Sequence, residues 1–251
     1  KGQLVIKTNN SSYKISTLPG NDFPLFDNSN PTETFNINQE KLLTLLNKTH
    51  FSMAQQDVRF YLNGLLLETE PKRLKAIATD GHRLAASEMT IEKKQLNTTA
   101  SIVPRKAIQE LIRLLVNKED VKAEIGSNSI RFAFNNLTFI TKLIDGKFPD
   151  YNRVIPTNTE INIQLNSQAL KPSLQRVAIL ANEKFKGIRL ETTGNSLDLS
   201  SENPEQEEAN ETIPLQEKIK KIVVGFNVSY LIDAVGSCEG SAVCLSLNDE
   251  N

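Results

Sequence analysis

At 251 residues, with 39% hydrophobic and 24% charged side chains and a formal net charge of -1, the chain has the size and balance of one to three globular domains. It does not have that of a general polyanion binder, although a local basic surface stays open. No apolar run approaches the roughly 20 residues of a membrane helix and no charged-then-apolar leader follows Lys1, so a cytoplasmic protein without a membrane partner is expected. Two cysteines, Cys238 and Cys244, and two histidines, His50 and His82, are too few and wrongly spaced for a zinc site or a disulfide framework. No metal and no other cofactor are expected, and both cysteines read as reduced.

In chain order, the first predicted element is an edge strand at 12–16, half-buried through Tyr13 and Ile15. The polar, proline-bearing stretch 27–31 reads as a linker. Phe35-Asn36-Ile37-Asn38 then leads into a leucine-rich helix over 39–52, with Asn38 as its cap. Asn63-Gly64 is a turn signal, a second helix is predicted over 105–116, and Ile130, Phe132 and Phe134 alternate as a half-buried strand. Asp145-Gly146 marks another turn and 156–159 another linker. Helices over 167–180 and 228–235, with a turn at Gly194-Asn195 between them, complete the pattern. Strands outnumber helices, so the fold class is α+β: antiparallel sheets with helices on one face. Lys41, Lys48, Arg105, Lys106, Arg113, Lys171 and Arg176 against Glu40 and Glu110 make the predicted helices basic, while Glu202, Glu205, Glu207, Glu208 and Glu211 crowd one loop region. That segregation suits a protein enclosing a phosphate backbone without adhering to nucleic acid everywhere.

The chain also repeats itself. Phe148 in LIDGKFP follows Phe23 in LPGNDFP by 125 residues, Asn166 before its helix follows Asn38 by 128, and GIRLET starting at Gly187 follows GLLLET starting at Gly64 by 123. Three nearly equal shifts in the same order define a repeat of domain length, far above the periods of stacked solenoids. The expected division is the tail of one copy over 1–31, a complete copy over 32–156, and a third copy lacking its end over 157–251.

Seven segments carry a closer resemblance: FSMAQQDVRFYLNG (51–64), ATDGHRLA (78–85), IVPRKAI (102–108), KFPDYNRV (147–154), NEKFKGIRL (182–190), NPEQEEA (203–209) and GFNVSYL (225–231). In this order they resemble the signatures of the bacterial DNA polymerase III beta subunits, the sliding clamps. The resemblance implies tandem clamp domains with sheets outside and two short helices per domain lining the concave face. It implies no catalysis, a homodimeric ring around duplex DNA when full length, and recruitment of polymerase subunits, clamp loader and repair proteins through short peptide motifs. The positions matching the peptide pocket are Leu62, Thr79, Gly81, His82, Arg83, Leu84, Pro149, Arg153, Val154, Phe185, Asn227 and Tyr230. Apolar members suit leucine and phenylalanine anchors, and polar members suit a peptide backbone. Gln56, Arg59, Phe60, Tyr61, Arg105 and Lys106 match the DNA-facing positions, and Tyr13, Ile15, Ile179 and Leu180 the protomer interface. Lacking most of the first domain and the C-terminal arm, the chain is expected to be mainly monomeric.

Other classes fare worse. The sequence holds no G-x-x-x-x-G-K-[ST], G-x-S-x-G or H-E-x-x-H motif. The remaining enzymatic idea, Asp80 beside His82, places both residues on one tight turn without a third orienting group. The other alternative is a tandem-domain scaffold that does not encircle DNA.

Overall fold

The computed structural model describes residues 2–23, 31–92, 96–116, 118–134, 136–157 and 159–248. Most of the first predicted linker, and Asn158 of the second, lie outside them. The first two strands, β1 (Gly2–Lys7) and β2 (Ser12–Thr17), form an antiparallel ribbon in which Tyr13 faces Ile6 and Ile15 faces Leu4. The expectation of half-burial fails here: Tyr13 and Ile15 are both exposed, because no further layer packs beneath the ribbon among the described residues.

From Glu33 the chain builds one unit out of two similar halves. Strand β3 (Glu33–Asn38) runs into helix α1 (Gln39–Asn47), followed by β4 (Gly64–Glu70), β5 (Arg73–Thr79) and β6 (Leu84–Thr90). Strand β7 (Thr99–Pro104) then runs into α2 (Arg105–Leu114), followed by β8 (Asp120–Ile125), β9 (Ser129–Phe134) and β10 (Leu137–Lys142). Each leading strand joins the other half's meander, giving antiparallel sheets in the orders β6-β5-β4-β7 and β10-β9-β8-β3. Helices α1 and α2 lie side by side over a common core that includes Leu42, Leu46, Leu65, Leu67, Ile108, Leu111, Phe132 and Phe134. Their apolar residues recur at helical spacing and the strands alternate, as a half-buried sheet requires.

The unit recurs with β11 (Ile161–Asn166), α3 (Ser167–Val177), β12 (Gly187–Glu202), β13 (Glu208–Ile219), β14 (Val223–Asn227), α4 (Val228–Ser237) and β15 (Ala242–Leu247). Its sheets are β13-β12-β14 and β11-β15, and α3 packs beside α4. A separate apolar cluster, from Ile161 and Leu174 to Leu199 and Val228, fills it. Asn38, Asn166 and Asn227 each end a strand and cap the helix that follows, their side-chain oxygens accepting the first free backbone N–H groups.

Boundaries depart from expectation where side chains compete with the helix. The predicted helix 39–52 stops at Asn47 because the buried Thr49 turns its hydroxyl back onto the carbonyls of Leu45 and Leu46, at 3.1 and 3.3 Å; His50–Ser52 is a separate 3-10 turn. Helix 105–116 ends at Leu114, and 167–180 divides into α3 and a 3-10 turn at Ala178–Leu180. The last predicted helix extends to Ser237. Gly194-Asn195 is not a turn: it is a bulge inside β12, where the register with β13 shifts. Nor does Asn63-Gly64 reverse the chain. Gly64 opens β4 opposite Pro104, and a Cβ there would stand 2.6 Å from the Val103 carbonyl oxygen. The expected separation of basic helices from the acidic region is also incomplete, since Arg176 grips Glu211 through two nitrogens at 2.6 and 2.7 Å.

Candidate functional site

On its second face the sheet β6-β5-β4-β7 carries a small cluster of Leu66, Ile77, Ile102, Phe148 and Tyr151. Beside this cluster opens a cleft of about 380 Å³ lined by Arg59, Tyr61, Leu62, Thr79, Gly81, His82, Arg83, Leu84, Pro149, Asp150, Tyr151 and Val154. Eight of the twelve positions expected for a peptide pocket meet there, drawn from three segments well apart in sequence.

Local hydrogen bonding shapes each wall. In the loop before β4, the Asn63 amide accepts from Asp57 N and donates to Asp57 O, at 2.9 and 2.8 Å, which closes residues 57–63 into a clasp. The Arg59 guanidinium forks onto Asp57 at 3.0 and 2.9 Å and holds that carboxyl well below its usual value, at about 2. Between β5 and β6 the Thr79 hydroxyl donates to Arg83 O and accepts from Gly81 N, while Asp80 accepts the N–H groups of His82 and Arg83. Gly81 sits at φ +87°, and a Cβ there would meet the Arg59 guanidinium at 2.9 Å, so its turn and the Arg59 side chain are shaped together.

The third wall, Pro149–Val154, includes no strand and is held from beneath. Phe148 and Tyr151 bury their rings, and the Tyr151 hydroxyl donates to Glu68 at 2.7 Å. Burial first, and Glu68 second, push the phenol well above its ordinary value. In the unfolded chain Tyr151 ionises near pH 10, so above that pH the unfolded state binds fewer protons than the folded state. Stability contributed by Tyr151 is therefore present below about pH 10 and falls as pH rises past it. Thermal melts between pH 9 and 11 are expected to fall more steeply for the wild type than for Tyr151→Phe; parallel curves would contradict this.

The other four expected positions lie outside this cleft. Arg153 is exposed and pairs with Asp150 at 2.9 Å. Phe185 is 67% exposed on a loop held by hydrogen bonds: Asn182 Oδ1 accepts from Lys184 N and Phe185 N, and Asn227 Nδ2 donates to Phe185 O. Asn227 is thus both cap and brace. Tyr230 stacks under the Arg83 guanidinium, 4.5 Å from its central carbon. Asp150 and Tyr151 line the cleft without having been singled out, although both stand in the KFPDYNRV segment; the buried Phe148–Tyr151 spacing was their signal.

The six positions matched to DNA divide. Arg59 and Tyr61 line the cleft itself. Gln56 is exposed at φ +57°, and Phe60 is 58% exposed, with its ring edge-on to Tyr61 at 5.9 Å. Arg105 spends one guanidinium nitrogen on Met53 O, at 2.7 Å, while Lys106 is exposed on α2. Ile179 is 76% exposed and Leu180 partly so.

Tandem α+β units, each with antiparallel sheets and two helices, define the DNA-clamp fold, here with a cleft on its central unit. Residues 36–150 match the family described as DNA polymerase III beta subunit, central domain, and residues 152–251 its C-terminal domain. The chain belongs to the beta sliding clamp family, the non-catalytic processivity subunit of DNA polymerase III. It is 45% identical over 250 residues to the beta sliding clamp of Pseudomonas putida, covering 99% of this chain and 68% of that one. Against the Escherichia coli K12 clamp it is 41% identical over 248 residues, covering 98% and 68%. The crystal structure of the Pseudomonas aeruginosa subunit superimposes with a TM-score of 0.95 at 42% identity, covering 99% of this chain and 68% of that one. A second Pseudomonas aeruginosa clamp, bound to griselimycin, gives 0.93 at 42% identity, covering 100% and 68%. No helix among the described residues is long and apolar enough to cross a membrane.

Proposed function

We propose that this chain acts within a sliding clamp that encircles duplex DNA and tethers polymerase, clamp-loader and repair proteins by their short peptide motifs. In this reading residues 1–31 are the tail of a first clamp domain, 32–156 the second and 157–251 the third. The full-length protein closes as a homodimer through the surfaces of Tyr13 and Ile15 on one protomer and Ile179 and Leu180 on the other. DNA passes the loop with Gln56, Arg59, Phe60 and Tyr61 and the start of α2 with Arg105 and Lys106, contacting phosphates without reading sequence.

The observation that carries the peptide assignment is the convergence of Leu62, Leu84, Pro149 and Val154 with the polar turn 79–83 around one cleft. An apolar hollow rimmed by a few fixed polar groups suits a peptide with bulky anchors. Phe185, exposed on a loop held by three hydrogen bonds, offers a rigid aromatic surface to a second anchor. Phe185→Ala is expected to weaken a fluorescent client peptide by about 1–3 kcal/mol. Griselimycin, which the Pseudomonas aeruginosa clamp binds, serves as competitor in the same titration. Unchanged peptide affinity removes Phe185 from the site.

A further inference from the structure

The residues assigned to the peptide site lie on two units with separate cores. Leu62, Leu84 and Val154 stand on one, Phe185, Asn227 and Tyr230 on the other, so their spacing depends on what fixes the units against each other. Among the described residues two ion pairs cross that boundary, Lys48 with Glu239 at 3.0 Å and Arg83 with Asp233 at 2.5 Å.

They are not equivalent. Lys48–Glu239 is a single contact with Glu239 68% exposed, the kind of pair that adds little. Arg83 is only 20% exposed and its planar fork is engaged on every side. From the central unit, Asp80 accepts from Nε at 3.1 Å and the Phe51 carbonyl from Nη2 at 2.8 Å, which fixes its direction. From the other unit, Asp233 accepts from Nη1, and the ring of Tyr230, one turn earlier on α4, lies against one face while Phe51 lies 5.4 Å from the central carbon.

We propose that Arg83 acts chiefly as the pin that sets the distance between the two halves of the peptide site, with Asp233 as its socket, and is not itself a principal ligand of the peptide. This rests on the reading of the cleft as a peptide site. A peptide spanning both units gains affinity because their spacing is fixed before it arrives; a ligand confined to the Leu62–Leu84 hollow gains nothing from that order.

The test compares two ligands on the wild type, Asp233→Asn and Glu239→Gln: a client-type peptide carrying leucine and phenylalanine anchors, and the capped dipeptide acetyl-Leu-Phe-amide. Asp233→Asn is expected to weaken the long peptide roughly three- to tenfold and to leave the dipeptide within about twofold. Glu239→Gln moves neither. An equal loss for both ligands, or no loss for the long one, overturns the pin. A second measurement needs no peptide: nitroxide labels at Thr138 and Glu208, exposed on the two units, in a Cys238→Ser/Cys244→Ser background. Their distance distribution should broaden in Asp233→Asn. Broadening with no peptide bound to the wild type removes the peptide reading, whereas an unchanged distribution overturns the pin itself.

Discussion

Replacing Phe132 by alanine is expected to destabilise the central unit by about 3–5 kcal/mol while leaving the C-terminal unit's core nearly untouched. Phe132 lies in β9 with 2% of its surface exposed, opposite Ala123 on β8 and Phe139 on β10. Its neighbours belong to a cluster that shares no residue with the one around Leu174 and Leu199. The cavity is therefore confined to one core, because the ties to the other unit among the described residues, Lys48–Glu239 and Arg83 with Asp233 and Tyr230, lie outside the packing around Phe132. Hydrogen exchange resolves the two units: amides of β3, β8 and β9 should lose protection while those of β11, β12 and β15 keep it. Equal loss in both would show one cooperative unit and would contradict the separation of the cores.

That separation was legible in the sequence through the repeat, and the cap residue Asn38 was legible as well, because strand alternation, a cap and a helix stripe are all local. That these residues would line one cleft was legible only through the family resemblance, since its walls come from residues far apart in the chain. What escaped was pairwise and long-range. Nothing local marks Asp233 as the partner of Arg83, 150 residues away, or Glu68 as the acceptor for Tyr151, 83 residues away. The half-burial expected of Tyr13 and Ile15 failed for a related reason. Alternation marks a face that can be buried, and it does not say whether a second layer is present to bury it.

The repeat also predicts energetics at positions where it looked merely descriptive. Thr69 closes GLLLET and Thr192 closes GIRLET, and each is fully buried. The Thr69 hydroxyl donates to Asn97 O at 2.5 Å and accepts from Thr99 N at 3.0 Å. That of Thr192 donates to Lys220 O at 2.6 Å and accepts from Ile222 N at 3.0 Å. The partners, like the threonines, are 123 residues apart. In both units one hydroxyl thus ties the strand to the chain entering its sheet neighbour, β7 or β14, at the end of their regular pairing. Valine keeps the shape but leaves a backbone donor and acceptor without a partner, at an expected cost of about 1–3 kcal/mol per variant. Thr69→Val should lower protection in the central unit alone and Thr192→Val in the C-terminal unit alone, with Thr→Ser at either position recovering most of the loss because the hydroxyl remains. Urea titrations followed by hydrogen exchange measure both. Valine variants as stable as the wild type would show that water replaces the hydroxyl at no cost, and that the shared geometry of the two threonines has no energetic weight.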